Sequence, residues 1–245
     1  MARLFAIGDI HGCLDPLNVL LDRIRPTQAD TIVTLGDYVD RGPDSKGVID
    51  RLLDLSHSCK LVSLMGNHEQ MMLSARRDRQ AAREWQTFGG LETLESYDGG
   101  LDAIPEGHWR FLIDALPYHE TESHIFVHGA LFADIEMTDQ PRSKLLWGRF
   151  KEIEPHISRK IVICGHTPQI SGRPANKAMP SASTPTPVGV AGSRASTSTP
   201  ASCIRRTSTV SIARSISTIC STGASLPGPV PFRVQRADLQ PASRS

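Results

Sequence analysis

Five short apolar runs, each closed by a glycine-bearing polar turn, recur between residues 3 and 165. They are RLFAIG (3–8), TIVTLG (31–36), KLVSLMG (60–66), HIFVHG (124–129) and KIVICG (160–165). Their length and β-branched content predict buried strands. Helical patterns follow the early ones. LDPLNVLLDRI (14–24) places Leu14, Leu17, Leu20 and Leu21 on one face, and DSKGVIDRLLDL (44–55) does the same with Val48, Leu52 and Leu55 behind an Asp-Ser cap signal. EQMMLSARRD continues after the third run, and 80–97 and 107–116 predict further helices. Strand–turn–helix units in series predict a layered α/β fold. In such folds ligands gather at the carboxyl ends of the strands.

Those ends are where the reactive side chains stand. The first gives Asp9 and His11, the second Asp37, Asp40 and Arg41, the third Asn67 and His68, and the last two His128 and His166. Mixed carboxylate and imidazole donors suit Mn, Fe or Zn. More than four candidate ligands, with Asp able to bridge, predict two metals clamping the attacking and leaving oxygens of a displacement at phosphorus. No Ser or Cys nucleophile is then required.

The blocks GDIHG (8–12), GDYVDRG (36–42) and GNHE (66–69), supported by GNHEQMM and CGHTP, resemble the phosphoprotein phosphatase family of calcineurin-like metallophosphoesterases. The resemblance covers residues 3 to about 172 and is strongest to compact bacterial and phage serine/threonine protein phosphatases. It implies a β-sandwich flanked by helices. It also implies that Asp9, His11 and Asp37 hold a first metal and that Asp37 bridges to a second, completed by Asn67, His128 and His166. Mn²⁺ is the expected ion, with Fe or Zn as alternatives. His68 would be the general acid, with Asp40 holding its imidazole oriented and charged. Arg41, and Arg149 in LLWGRF, would be phosphate clamps, because a planar guanidinium can bind two phosphoryl oxygens. The implied reaction is hydrolysis of phosphoserine and phosphothreonine in phosphoproteins or phosphopeptides by a metal-bridging hydroxide. The enzymatic alternative is a diadenosine tetraphosphate (bis-nucleoside polyphosphate) hydrolase of the same superfamily. That branch usually departs from the DRG element, so the intact VDRG favours the protein phosphatase. A product impaired or made non-catalytic by its altered C-terminus is the other alternative.

Cys13 and Cys164 beside the site read as small apolar filler, Met65, Met71 and Met72 as helix packing, and Trp147 as core. Arg76, Arg77, Arg79 and Arg83 read as a solvated helix face.

Residues 178–245 differ in kind. Ser and Thr supply 22 of these 68 residues and Pro another eight, without a period of 2 or 3.6, so the segment cannot bury enough apolar surface to fold alone. It carries seven Arg and one acid, giving +6 against −5 for residues 1–177, which sum to the net charge of +1. The expected organisation is a catalytic domain over 1–177 and a disordered tail over 178–245, with the C-terminal strands missing or replaced. With one base inserted before the codon of Ala178, the tail's codons admit GHAICIDT. That string resembles the strand the family carries after its GHT loop, so the tail is expected to be an out-of-frame translation. With no Lys and one aromatic, Phe232, it is not expected to bind nucleic acid. Cys13, Cys59, Cys164, Cys203 and Cys220 show no paired spacing, and no run is long enough for a signal peptide or a bilayer span. A reducing cytoplasm, without membrane contact, is the expectation.

Overall fold

The computed structural model describes residues 2–168, 176–177, 188–190 and 210–212. The first predicted units form as expected: β1 (Leu4–Ile7), α1 (Leu14–Ile24), β2 (Thr31–Thr34), α2 (Ser45–Ser56), β3 (Lys60–Ser63) and α3 (Asn67–Ala75). Two short helices follow, α4 (Arg79–Trp85) and α5 (Leu91–Ser96), joined across Gln86–Gly90 by a kink at Gly89. After α6 (Glu106–Ile113) come β4 (Tyr118–Glu120), β5 (His124–Val127), α7 (Arg142–Trp147) and β6 (Ile161–Cys164). Asp44 caps α2 by accepting from the Gly47 N–H, as its position predicts.

Two sheets stack face to face. One has the order β3-β2-β1, with all pairs parallel; in the other β5 and β6 run parallel and β4 antiparallel to β5. The period-2 alternation of each strand builds the layers. Ala6, Val33, Phe126 and Ile163 point between the sheets and pack with Leu35, Val62 and Leu64. Phe5, Ile7 and Ile32 point outward, against Leu17, Leu21, Ile49 and Leu52 of α1 and α2. On the far side Ile125, Val127, Val162 and Cys164 pack on Leu131, Leu145 and Ile153. The molecule is thus a β-sandwich flanked by helices, and the parallel strands of both sheets end on one rim.

Three further strands stand beyond residue 175: β7 (Asn176–Lys177), β8 (Val188–Val190) and β9 (Val210–Ile212). β8 lies parallel beside β6, in the register Ile163↔Gly189, with β7 antiparallel to it, and β9 lies parallel beside β1. β8 thus lies beside β6, the strand that leads into the GHT loop. The physical reason is that β1 and β6 would otherwise present open ladders of N–H and C=O groups, which accept an extended backbone with little regard to its side chains. The rest of 178–245 lies outside the described residues, and with it the expectations of disorder and of an altered reading frame.

Candidate metal centre

The loops after β1 and β2 lock together through the backbone. Asp37 C=O accepts from the N–H groups of Ile10 (2.9 Å) and His11 (2.8 Å), and Tyr38 C=O accepts from Gly12 (2.8 Å). Several site residues adopt unusual backbone angles. His11 (φ 47°), Asp37 (53°), Asp40 (74°), Arg41 (70°) and His166 (59°) all occupy the left-handed region. Each such residue costs of order 1–3 kcal/mol, held only where surrounding structure over-determines it. That five of the predicted site residues are so held marks the site independently of any motif.

Glu69 supplies much of that holding. Buried in the first turn of α3, its Oε2 accepts from the N–H groups of Asp37 (2.8 Å) and Gly66 (2.9 Å), and its Oε1 from Tyr38 (2.7 Å) and Val39 (3.3 Å). Burial pushes its carboxyl up to about 7, against the pull of these N–H groups. In the sequence Glu69 stands only as a letter of GNHE; the signal for its role is the three-residue spacing from Gly66, which is capping-box spacing.

The two sheets meet at the site. Asp9 Oδ1 accepts from the His166 N–H (2.9 Å), joining the end of β1 to the end of β6. His128 Nδ1 donates to Leu35 C=O (2.8 Å) and His11 Nδ1 to Val39 C=O (2.9 Å), which turns both Nε2 atoms inward. Burial holds both rings neutral, pushing His11 down to about 4 and His128 to about 3. Each inward Nε2 is therefore an acceptor. Around His128 Nε2 stand Asn67 Oδ1 (2.9 Å), His166 Nδ1 (3.2 Å) and Asp37 Oδ1 (3.4 Å); Asp37 Oδ2 lies 3.5 Å from His11 Nε2. The donor atoms of Asp37, His128 and His166 lie within 4.8 Å of one another, as do those of His11, Asp37 and His68, so Asp37 is common to both groups. Burial, then the charges of Asp9 and Glu69, drive the Asp37 carboxyl well up. A crowd of buried acceptors and mutually repelling carboxylates is what divalent cations would relieve, and the oxygen–imidazole donor set fits them.

His68 lies behind, its Nδ1 2.7 Å from Asp40 Oδ2 and its ring edge-on to His11 at 4.7 Å. The bond that orients His68 is present, but burial opposes charge on both partners. It pushes Asp40 up to about 7 and, with Arg41 adding, His68 down to about 3. Arg41 donates from Nη1 to His11 Nε2 (3.0 Å). Arg149 is exposed, and its charge lowers the His166 pKa after burial does. The Phe150 N–H donates to Thr167 Oγ1 (3.0 Å), which holds the Arg149 segment beside the His166 loop.

Trp147 is not core: it is 45 % exposed. Leu145 and Leu146 take the buried face of α7, and the last turn is pinned by Leu145 and Lys144 carbonyls accepting from Gly129 and Ala130, so Trp147 faces out. Its Nε1 donates to Gln70 Oε1 (3.3 Å) and its ring meets His166 edge-on at 6.3 Å. Cys13 and Cys164 are buried, and burial raises the Cys164 thiol far above the reactive range, in keeping with filler. Arg76 pairs with Glu106 and lies over Trp109, and Arg83 bonds Gln80, as a solvated helix face should.

Residues 2–184 match the family model for calcineurin-like phosphoesterases. A bis(5'-nucleosyl)-tetraphosphatase (symmetrical) of Pseudomonas putida is 32% identical over 128 residues, 52% of this chain and 42% of the relative. Serine/threonine-protein phosphatase 1 of Salmonella typhimurium is 40% identical over 92 residues, 36% of this chain and 39% of the relative. The chain thus spans well under half the length of these two relatives. A solved structure described as "Crystal structure of a putative diadenosine tetraphosphatase" superimposes with a TM-score of 0.53 at 22% identity, over 70% of this chain and 77% of that one, which shows a shared fold. Among the described residues, no helix is long and apolar enough to cross a membrane.

Proposed function

Because the chain belongs to the calcineurin-like phosphoesterase family, and is thereby a hydrolase of metallophosphoesterase type, we propose that it hydrolyses phosphate monoesters, with phosphoserine and phosphothreonine of proteins as substrates. Residues 1–177 are the catalytic unit in this reading. Asp9, His11, Asp37, Asn67, His128 and His166 hold two divalent ions, with Mn²⁺ the expected species. When bound, the ions supply Lewis-acid charge at the phosphoryl oxygens and make water acidic enough to act near neutral pH.

The chain's own residues do the rest. Arg41 and Arg149 bind phosphoryl oxygens and stabilise the charge that spreads over them. As the P–O bond to the substrate oxygen breaks, His68 gives the Nε2 proton to that oxygen. Nδ1 keeps the proton it shares with Asp40, so the imidazole ends neutral. The carrying observation is the 2.7 Å contact between His68 Nδ1 and Asp40, in a segment whose next residue is Arg41. It leaves Nε2 as the ring atom free to serve the substrate.

A second reading is hydrolysis of a dinucleoside tetraphosphate, favoured by the 32% identity to relatives of that name. Turnover of a phosphoserine peptide and of diadenosine tetraphosphate by the Mn²⁺-loaded chain, with p-nitrophenyl phosphate as reference and His68→Asn as control, separates the two. Preference for the dinucleotide sinks the first reading, and failure to turn over any of the three sinks both.

A further inference from the structure

The segment between residues 79 and 96 carries no recognisable motif, yet it grips the acid pair. The Asp40 carboxylate is fully buried. Its Oδ2 receives the Trp85 Nε1–H at 2.8 Å, from the last residue of α4, beside the contact to His68. Its Oδ1 receives the Thr93 hydroxyl at 2.7 Å, from α5. The same Thr93 Oγ1 accepts from the Asp40 N–H (2.9 Å), so one threonine holds both ends of the residue. Between Trp85 and Thr93 the chain kinks at Gly89 and brings it against Arg41, where the Gly89 C=O accepts from the Arg41 N–H at 3.1 Å. Gly89 has φ 108°, and a Cβ there would lie 2.7 Å from both Arg41 Cγ and Arg41 N.

We propose that Trp85, Thr93 and Gly89 form a positioning element for proton transfer: Trp85 and Thr93 fix the plane of the Asp40 carboxylate so that one orientation of His68 is held, while Gly89 fixes the backbone of Arg41. The inference rests on His68 acting as the acid. A carboxylate held by His68 alone can rotate about χ2 and take the imidazole with it. Two further donors, arriving from helices on either side of the kink, remove that freedom. Pre-organisation of this sort matters only when a proton must reach the leaving oxygen.

The test uses leaving groups. Nitrophenolate departs without a proton, whereas the alkoxide of glycerol 2-phosphate requires one. In the full-length, Mn²⁺-loaded protein, Trp85→Phe and Thr93→Val should lower kcat on glycerol 2-phosphate roughly 10-fold. On p-nitrophenyl phosphate kcat should stay within about 3-fold, and KM should change little for either. Thr93→Ser, which keeps the hydroxyl, should restore the wild-type ratio. Equal losses on the two esters, or no loss, overturn the proposal; an equal loss with a lowered melting temperature assigns the residues a structural role only. His68→Asn separates this failure from that of the underlying reading. If it too loses equally on both esters, His68 is not the acid. If it discriminates and Thr93→Val does not, the positioning element alone is wrong. Independently of turnover, the downfield Nδ1 proton resonance of His68 in the metal-free protein should move in Thr93→Val and in Trp85→Phe, and an unmoved resonance overturns the proposal.

Discussion

Replacing Glu69 with Gln tests how the loop carrying Asp37 is held. The change is nearly isosteric, so packing is preserved and only the acceptors differ. In the native chain two N–H groups converge on each oxygen, those of Asp37 and Gly66 on Oε2 and those of Tyr38 and Val39 on Oε1. A glutamine offers one oxygen, so one pair is kept and the other faces an NH₂ group. Stranding a buried N–H costs about 1–3 kcal/mol. Two of them, the longer Val39 contact at 3.3 Å counting for less, amount to about 3 kcal/mol. For a domain of this size that lowers the melting temperature by about 6–12 °C. The damage is not only global, because the freed backbone includes Asp37 in its left-handed conformation. Mn²⁺ affinity should therefore fall roughly 10-fold or more, as when other supporting contacts of metal ligands are removed. Differential scanning calorimetry of the metal-free protein and calorimetric Mn²⁺ titration read the two effects. A Glu69→Gln protein that melts within about 2 °C of wild type and binds Mn²⁺ equally well would refute the reasoning, since the carboxylate could not then be organising the loop.

Three further outcomes are expected. Asp30 is buried and accepts from the Arg3 backbone and guanidinium and from Thr27, and Arg3 holds its carboxyl far below the usual range. A depressed folded pKa means stability that is present above the unfolded value and lost as the pH falls below about 4. Asp30→Asn should cost about 2 kcal/mol at pH 7, discounted for the half-exposed Arg3, and should flatten that acid limb in urea melts; an unchanged limb contradicts the assignment. Gly66→Ala should abolish Mn²⁺ binding as read by calorimetry, because the added Cβ would run into the Asp37 amide and carboxylate and the Glu69 carboxylate. Removing divalent ions with a chelator should lower stability, and Mn²⁺ at about 100 times its Kd should add about 2.7 kcal/mol, an increment that Asp37→Asn should lose.

How much was legible follows from where each signal is stored. Five of the strands could be read because short apolar runs and their closing glycines are local, and in the structure Ala6 against Phe5 and Ile7 splits between the two layers as period 2 requires. The candidate donor types were legible because all of them stand at strand ends. Glu69 was visible as a letter but not as a latch, since its partners at Asp37, Tyr38 and Val39 lie some thirty residues away. Trp85 and Thr93 meet Asp40 across 45 and 53 residues and leave no local pattern at all. Trp147 was misread because LLW looks apolar throughout; only the docking of α7 on Gly129 and Ala130 decides which of the three faces out.

By itself, then, the sequence determined the strand–turn–helix units and the kinds of donor each would present at its end. Only the tertiary structure decided that these donors converge, and in what state. The packing of Ala6 and Val33 against Phe126 and Ile163 closes the sandwich and brings Asp9 to His166 across 157 residues and Leu35 to His128 across 93. The physical reason is that a side chain's chemistry is carried by its own residue. Its protonation, by contrast, is set by burial and by charges that only folding brings near, so at the Asp40–His68 contact burial opposes charge on both partners.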